Sequence, residues 1–200
     1  MKHLVSAVIV LLVSTIAHAE DDSTNLHLFG GLGVASYDVS EDEVADSFID
    51  QGFSSVQGTI DDSPVMFKIG AGFGLNDNVA IEAAYTNLGT IDVSGTTTGP
   101  SAAFTSEIET TGFEASILGR HAVSEDFHLI GRFGIYAWDT EVDVSASSGG
   151  LTASDSSSSD GTDVTFGGGL EYKNFRLEYQ RYTLDDQDVN TVQAAYIINL

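Results

Sequence analysis

From residue 26 onward, apolar and polar residues alternate with a period of two rather than 3.6, and the alternation falls into eight segments: 26–37, 63–75, 79–89, 106–121, 127–142, 162–173, 175–183 and 189–200. A shared face at every second residue is the geometry of an extended strand. In the second segment Val65, Phe67, Ile69, Ala71, Phe73 and Leu75 oppose Met66, Lys68, Gly70, Gly72 and Gly74. In the seventh, Phe175, Leu177 and Tyr179 oppose Arg176, Glu178 and Gln180. The third sets Ile81, Ala83 and Tyr85 against Glu82 and Thr86; the fourth sets Phe113, Ala115 and Ile117 against Glu114 and Ser116. The fifth sets Leu129, Phe133 and Ile135 against His128, Arg132 and Tyr136; the sixth sets Val164, Phe166, Leu170 and Tyr172 against Asp163, Thr165 and Glu171. Each segment therefore carries one smooth apolar face.

The connections alternate in length. Those after the second, fourth and sixth segments are tight turns built on Asn76-Asp77-Asn78, Ser124-Glu125-Asp126 and Lys173-Asn174. The stretches 39–62, 90–105 and 143–161 are rich in Gly, Ser, Thr and Asp and read as longer loops, while Leu184 to Asp188 is short and acidic. With both termini on the side of the tight turns, the pattern predicts an all-β fold: an eight-stranded antiparallel up-and-down transmembrane β-barrel.

The polar face decides which way the strands point. It carries Lys68, Arg120, Arg132 and Arg176 beside Glu82, Glu114, Glu171 and Glu178, a balance of four against four in a chain with 30 acidic and 7 basic residues. Neutralised charge suits an enclosed space, whereas Arg or Lys facing lipid at the bilayer midplane costs roughly 2–4 kcal/mol. These eight side chains are therefore expected in the lumen as an ionic network, with room made by Gly70, Gly72, Gly74, Gly167 and Gly169. Counting back from the turns pairs Glu114 with Arg132 and Glu171 with Arg176.

A formal net charge of −23 excludes a nucleic-acid binder, which needs clustered Lys and Arg. The first nineteen residues have the form of a cleaved signal peptide: Lys2, an apolar run from Leu4 to Val13, and the small-x-small site Ala17-His18-Ala19, leaving Glu20 first. The apolar run is shorter than the ~20 residues of a membrane-crossing helix. Two domains result, the leader 1–19 and the barrel 20–200. The last strand alternates through Ala194, Tyr196, Ile198 and Leu200 to the final residue, as outer-membrane barrels end where the barrel-assembly machinery reads them.

Several segments resemble the OmpA-type transmembrane domain. Gly168-Gly169-Leu170-Glu171-Tyr172 followed by Arg176-Leu177-Glu178-Tyr179-Gln180 is similar to that family's sixth and seventh strands. Ser124-Glu125-Asp126 through Arg132 to Trp138-Asp139-Thr140 is similar to its fifth, and Ile81-Glu82 through Tyr85 to Leu88-Gly89 to its third. The resemblance implies the outer membrane of a Gram-negative bacterium, contact with membrane lipid and lipopolysaccharide, delivery by periplasmic chaperones, and a monomer. It also implies a lumen network matched by Glu82, Glu171 and Arg176. Leu118 stands where the family has a lumen lysine, with Arg120 one inward step away, and no peptidoglycan-binding segment follows the eighth strand.

Other chemistry is thin. His27, His121 and His128 lie on separate segments without metal-ligand spacing and read as interface or lumen residues. Glu41, Asp42, Glu43, Asp46, Asp50, Asp155, Asp160 and Asp163 attract divalent cations diffusely rather than forming a calcium loop. Ser156–Ser159 has no nucleophile-elbow frame, Gly30-Gly31-Leu32-Gly33 is not a phosphate cradle, and no cofactor is called for. Tyr37, Tyr85, Tyr172, Phe175 and Tyr196 fit interfacial aromatic belts, with Trp138 either in a belt or capping the lumen.

The chain thus reads as a non-enzymatic outer-membrane barrel with a structural and surface-interaction role and at most a narrow water or ion path. The alternatives are a soluble exported lipocalin-like barrel holding a small apolar ligand and a gated small-ion pore. Residues 20–200 refolded in micelles are expected to migrate differently in SDS before and after boiling. A soluble, micelle-independent monomer would reverse the assignment of faces.

Overall fold

The computed structural model describes residues 25–37, 55–61, 63–98, 101–185 and 187–200. The leader with Ala17, Ala19 and Glu20, and the acidic run Glu41, Asp42, Glu43, Asp46 and Asp50, lie outside the described residues. Nine strands are formed among those described: β1 (Leu26–Tyr37), β2 (Ser55–Asp61), β3 (Val65–Asn76), β4 (Val79–Thr98), β5 (Ala102–Ala122), β6 (Phe127–Ser148), β7 (Leu151–Tyr172), β8 (Phe175–Leu184) and β9 (Gln187–Asn199).

All pairings are antiparallel. The order β4-β3-β1-β9-β8-β7-β6-β5 is closed into a ring by β5 pairing back to β4. β2 and β3 together make one of the eight walls, because both lie along β4: Asp61 is opposite Asp92, and Phe67 opposite Asn87. Pro64, which has no N–H to give a ladder, sits at the break, and its carbonyl accepts the Ala35 N–H at 3.0 Å. β4 bulges opposite, between Asn87 and Thr90. Within that bulge Gly89 takes a φ of +86°, and its N–H is held by Asn87 Oδ1 at 2.6 Å.

Two of the three expected outer loops are strand. Residues 90–98 continue β4 and 102–105 begin β5, while 143–148 and 151–161 extend β6 and β7 to a hairpin tip at Gly149-Gly150, with φ values of +60° and +82°. Positive φ at both central residues is the twist-matched hairpin turn, for which Gly-Gly is suited. Composition was misleading here because strands that rise out of a membrane meet water on their outer face, so polar residues stand there without interrupting the ladder. In the remaining expected loop, 39–62, residues 55–61 form β2 and 38–54 lie outside the described residues.

The meaning of inside and outside changes along the wall. In the lower part, Leu32, Phe67, Ile69, Phe113, Phe133, Phe166 and Leu177 are exposed on the outer surface, while Lys68, Glu82, Glu114, Arg132, Arg176 and Glu178 are buried inside. Higher up the same alternation is kept but the chemistry swaps. Met66, Leu88, Ile91, Val93, Phe104, Tyr136, Trp138, Tyr182, Leu184 and Val189 pack together in the interior. Outside, Glu109, Asp139 and Asp160 follow within a few residues of Phe113 and Val164, and Asp92, Glu107 and Asp143 lie beyond. The expectation of a polar interior therefore applies to the lower barrel only; above the bilayer the outer surface faces water, so apolar groups turn inward.

Gly89→Ala tests the wall break. A Cβ there would lie 2.6 Å from both the Pro64 Cβ and the Val65 carbonyl oxygen, in a left-handed conformation. A loss of roughly 1–3 kcal/mol is expected, read as a lower urea midpoint of the heat-shiftable form in micelles. An unchanged midpoint would mean that the break is loose.

Candidate functional site

Inward-facing positions of a small barrel crowd into one narrow space, so side chains from distant strands meet across the lumen. Arg132 on β6 is the common partner. Its guanidinium donates to Glu82 Oε2 at 2.7 Å, to Glu114 Oε1 at 3.2 Å, to Ser116 Oγ at 2.6 Å and, through Nε, to Glu178. Thus one cation holds carboxylates from β4, β5 and β8. Its side chain is fully shielded from solvent, as is that of Glu82.

Two further clusters extend from this centre. Toward the outer end, Lys68 Nζ donates to Glu114 Oε2 at 2.6 Å, Gln180 Oε1 at 2.8 Å and Tyr182 OH at 3.3 Å, which uses all three ammonium hydrogens. Gln180 in turn donates to Glu114 at 2.9 Å and to Thr165 Oγ1 at 2.7 Å, and Tyr182 OH donates to Glu114 at 3.2 Å. Toward the tight turns, Arg176 donates to both oxygens of Glu82, at 2.8 and 3.0 Å, and through Nε to Glu171 at 2.8 Å. Arg120 Nε reaches the other Glu171 oxygen at 3.0 Å, and His27 Nε2 donates to Glu82 Oε1 at 2.8 Å.

All eight lumen residues expected from the sequence, Lys68, Glu82, Glu114, Arg120, Arg132, Glu171, Arg176 and Glu178, are therefore placed in one hydrogen-bonded network. The register is half as expected. Glu171 is opposite Arg176, but Glu114 is opposite Tyr136 and Arg132 is opposite Leu118. The β5–β6 turn is centred on Glu125, as the Ser124-Glu125-Asp126 motif has it, with Ala122 opposite His128; pairing Glu114 with Arg132 implies a centre at residue 123, and that two-residue difference displaces the partner by four. An even shift preserves the inward face, and the long side chains of Glu114 and Arg132 span the offset.

His27, Ser116, Thr165, Gln180 and Tyr182 were not read as network members. One signal was available for His27: it lies opposite Gly72, itself opposite Glu82, and a Cβ on Gly72 would stand 2.3 Å from His27 Nε2. The space left by that glycine is what brings imidazole and carboxylate together. Other expectations are corrected. Tyr37 is buried in the upper interior rather than in a belt; Trp138 is buried there too, on the lumen side of its two expected places, and Tyr172, Phe175 and Tyr196 are exposed on the wall. Asp163 accepts the Trp138 indole N–H at 2.7 Å and the Asp185 backbone N–H at 3.3 Å, which ties its carboxylate into the structure. Ser156–Ser159 belong to β7, not to a loop. Ala194, Tyr196 and Ile198 face outward on β9, and the Leu200 N–H donates to the Leu26 carbonyl at 3.0 Å. Among the described residues no group of three or more metal-ligating side chains comes together.

A family model described as outer membrane protein beta-barrel domain matches residues 5–196. No curated protein matches the chain in sequence. Similar solved structures include Ail, the attachment invasion locus protein of Yersinia pestis, at 19% identity over 86% of this chain and 98% of Ail, with a TM-score of 0.46. Neisserial surface protein A is 13% identical over 90% of this chain and all of its own, with a TM-score of 0.43. The N-terminal β-barrel domain of Pseudomonas aeruginosa OprF is 11% identical over 88% of this chain and all of its own, with a TM-score of 0.40. At such distance no residue role transfers.

Removing the hub should be costly. Arg132→Met strips the shared partner from Glu82, Glu114 and Glu178, and a loss of about 3–5 kcal/mol is expected in urea unfolding from micelles. Lys173→Ala, whose 3.8 Å contact with Asp126 is exposed, should leave the midpoint unchanged. Equal effects of the two would mean that the lumen is hydrated and the network weak.

Proposed function

We propose, for a chain that belongs to the outer membrane protein β-barrel domain family, that its role in the outer membrane of a Gram-negative bacterium is structural and interfacial: a sealed barrel that presents acidic hairpins to the surroundings. The observation that carries this reading is the doubly filled interior. The Arg132 network occupies the lower lumen, and the cluster of Met66, Leu88, Tyr136, Tyr182 and Val189 lies above it. An ionic layer whose donors and acceptors are mutually satisfied is rigid, and an apolar layer excludes water, so at most a narrow water or ion path remains.

The outer wall supports the membrane part of the reading. Leu32, Ile69, Phe133, Leu177 and Ile198 stand exposed on it, a surface that lipid tails cover and water does not, which sets aside a soluble lipocalin-like barrel. Lipopolysaccharide would pack against the upper wall, with divalent cations gathered diffusely by the acidic outer segments that carry Asp155 and Asp160. Residues 1–19 would serve as the export leader and 20–200 as the barrel, carried by periplasmic chaperones and inserted as a monomer by assembly machinery that reads Ala194, Tyr196, Ile198 and Leu200. Catalysis is not part of the role: the hairpin serines have no histidine near them in sequence, all five histidines lying outside 39–62, 90–105 and 143–161.

Conductance across a planar bilayer tests the seal. The barrel should give no large unitary steps, and Glu171→Gln or Arg176→Ala should leave the record unchanged. Stable large openings of the unmodified protein would overturn the seal, and openings that change with either substitution would establish a gated pore in its place.

A further inference from the structure

Above the membrane, β6 and β7 stay paired up to Ser148 opposite Leu151, but β8 pairs with β7 only from Thr165 to Tyr172. Next to that pairing, the Val164 carbonyl is occupied by the Thr183 hydroxyl at 2.8 Å. Beyond it β7 has, among the described residues, a strand on one side only, and every residue from Leu151 to Asp160 is exposed. A long extended edge of this kind offers a row of N–H and C=O groups to another strand.

The chemistry beside the edge selects what can come. On the outer face Ser156, Ser158 and Asp160 stand opposite Asp143, Glu141 and Asp139 of β6. Glu107 and Glu109 of β5 are the next residues in those rows. Glu141, Asp143, Ser156, Ser157 and Ser158 line a half-open depression of about 230 Å³ between β6 and the edge strand. No Lys or Arg occurs in 39–62, 90–105, 143–161 or 184–188, so nothing in these segments compensates the carboxylates. A polyanion or a second copy of this hairpin would be repelled, whereas a cationic strand meets opposite charge along its length.

We propose that the Leu151–Asp160 edge of β7 is a docking site for an extended, lysine- or arginine-rich segment of a partner polypeptide. The segment adds to β7 as a further strand through main-chain hydrogen bonds, and alternate cationic side chains lie against Glu141 and Asp143 in the depression. Main-chain pairing supplies affinity and the depression supplies selectivity for charge. This rests on the reading of the hairpins as the presented surface and names the partner chemistry of that surface.

The test is fluorescence anisotropy of a labelled ten-residue peptide alternating lysine and threonine, titrated with the barrel folded in micelles. Two control peptides accompany it: one of the same charge with every second amide N-methylated, and one with glutamate in place of lysine. The lysine peptide is expected to bind at least tenfold more tightly than the N-methylated one, the glutamate peptide not to bind, and E141Q/D143N to weaken the lysine peptide at least threefold. Equal binding of the N-methylated peptide would reduce the contact to diffuse charge attraction and overturn the proposal, as would no binding at all or no effect of E141Q/D143N. Heat-dependent gel mobility of the same preparations separates the two failures. A shifted band without peptide binding removes the edge site and leaves the barrel; no shifted band removes both.

Discussion

Inside a bilayer no water is available to peptide groups, so each backbone N–H and C=O in the hydrocarbon must find another strand. The pairing of β4 with β5 meets that demand by closing the sheet into a ring. Much else follows from closure. The one interrupted wall breaks at Pro64 opposite the Asn87–Thr90 bulge, just above Tyr85 and Phe113, where the outer surface turns from apolar to acidic and water can replace missing ladder bonds. Farther out, where water is plentiful, β7 runs with one edge unpaired among the described residues.

Closure at eight walls also leaves a lumen only wide enough for side chains. The lower lumen is filled by charged groups, and isolated burial of any one of them would be prohibitive. They are tolerated because the network is reciprocal: Glu82 alone receives Arg132, Arg176 and His27. Space for these long side chains comes partly from glycine, as at Gly72 beside His27 and Glu82. Arg176 further lies over the Phe29 ring, 5.4 Å from its centroid, so even the face of the guanidinium is covered.

One alternating strand passes through two solvents. Lipid makes apolar groups face outward and leaves the interior to ions; water a few residues higher reverses both preferences. β5 shows this within itself. Glu114 points inward and Phe113 outward in its lower part, while Phe104 is buried inside and Glu107 is exposed outside in its upper part. In β5 the membrane boundary is thus marked by a change of residue type at constant parity, whereas in β4 the Asn87–Thr90 bulge shifts the parity there. The result is a barrel of ordinary aqueous polarity standing on one of inverted polarity.

The period-two pattern by itself determined the strand segments of the membrane part, their one-sided apolar faces and the tight turns at Asp77-Asn78 and Lys173-Asn174, because alternation is a local property of an extended backbone. The same parity groups the eight charged side chains on the face opposite the apolar one, since neither needs more than the local alternation. Tertiary structure decided what parity cannot. The length of the outer hairpins depended on inter-strand hydrogen bonds that Ser-, Thr- and Gly-rich residues form as well as apolar ones, so β4, β6 and β7 run on where composition suggested loops. The partners of Arg132 depended on reach across the lumen, which made it a hub for three carboxylates instead of one half of a cross-strand pair. His27, Gln180 and Tyr182 entered the network only because closure brings β1 and β8 against β3, β4 and β5 across a narrow lumen, where their side chains reach carboxylates and the Lys68 ammonium on other strands.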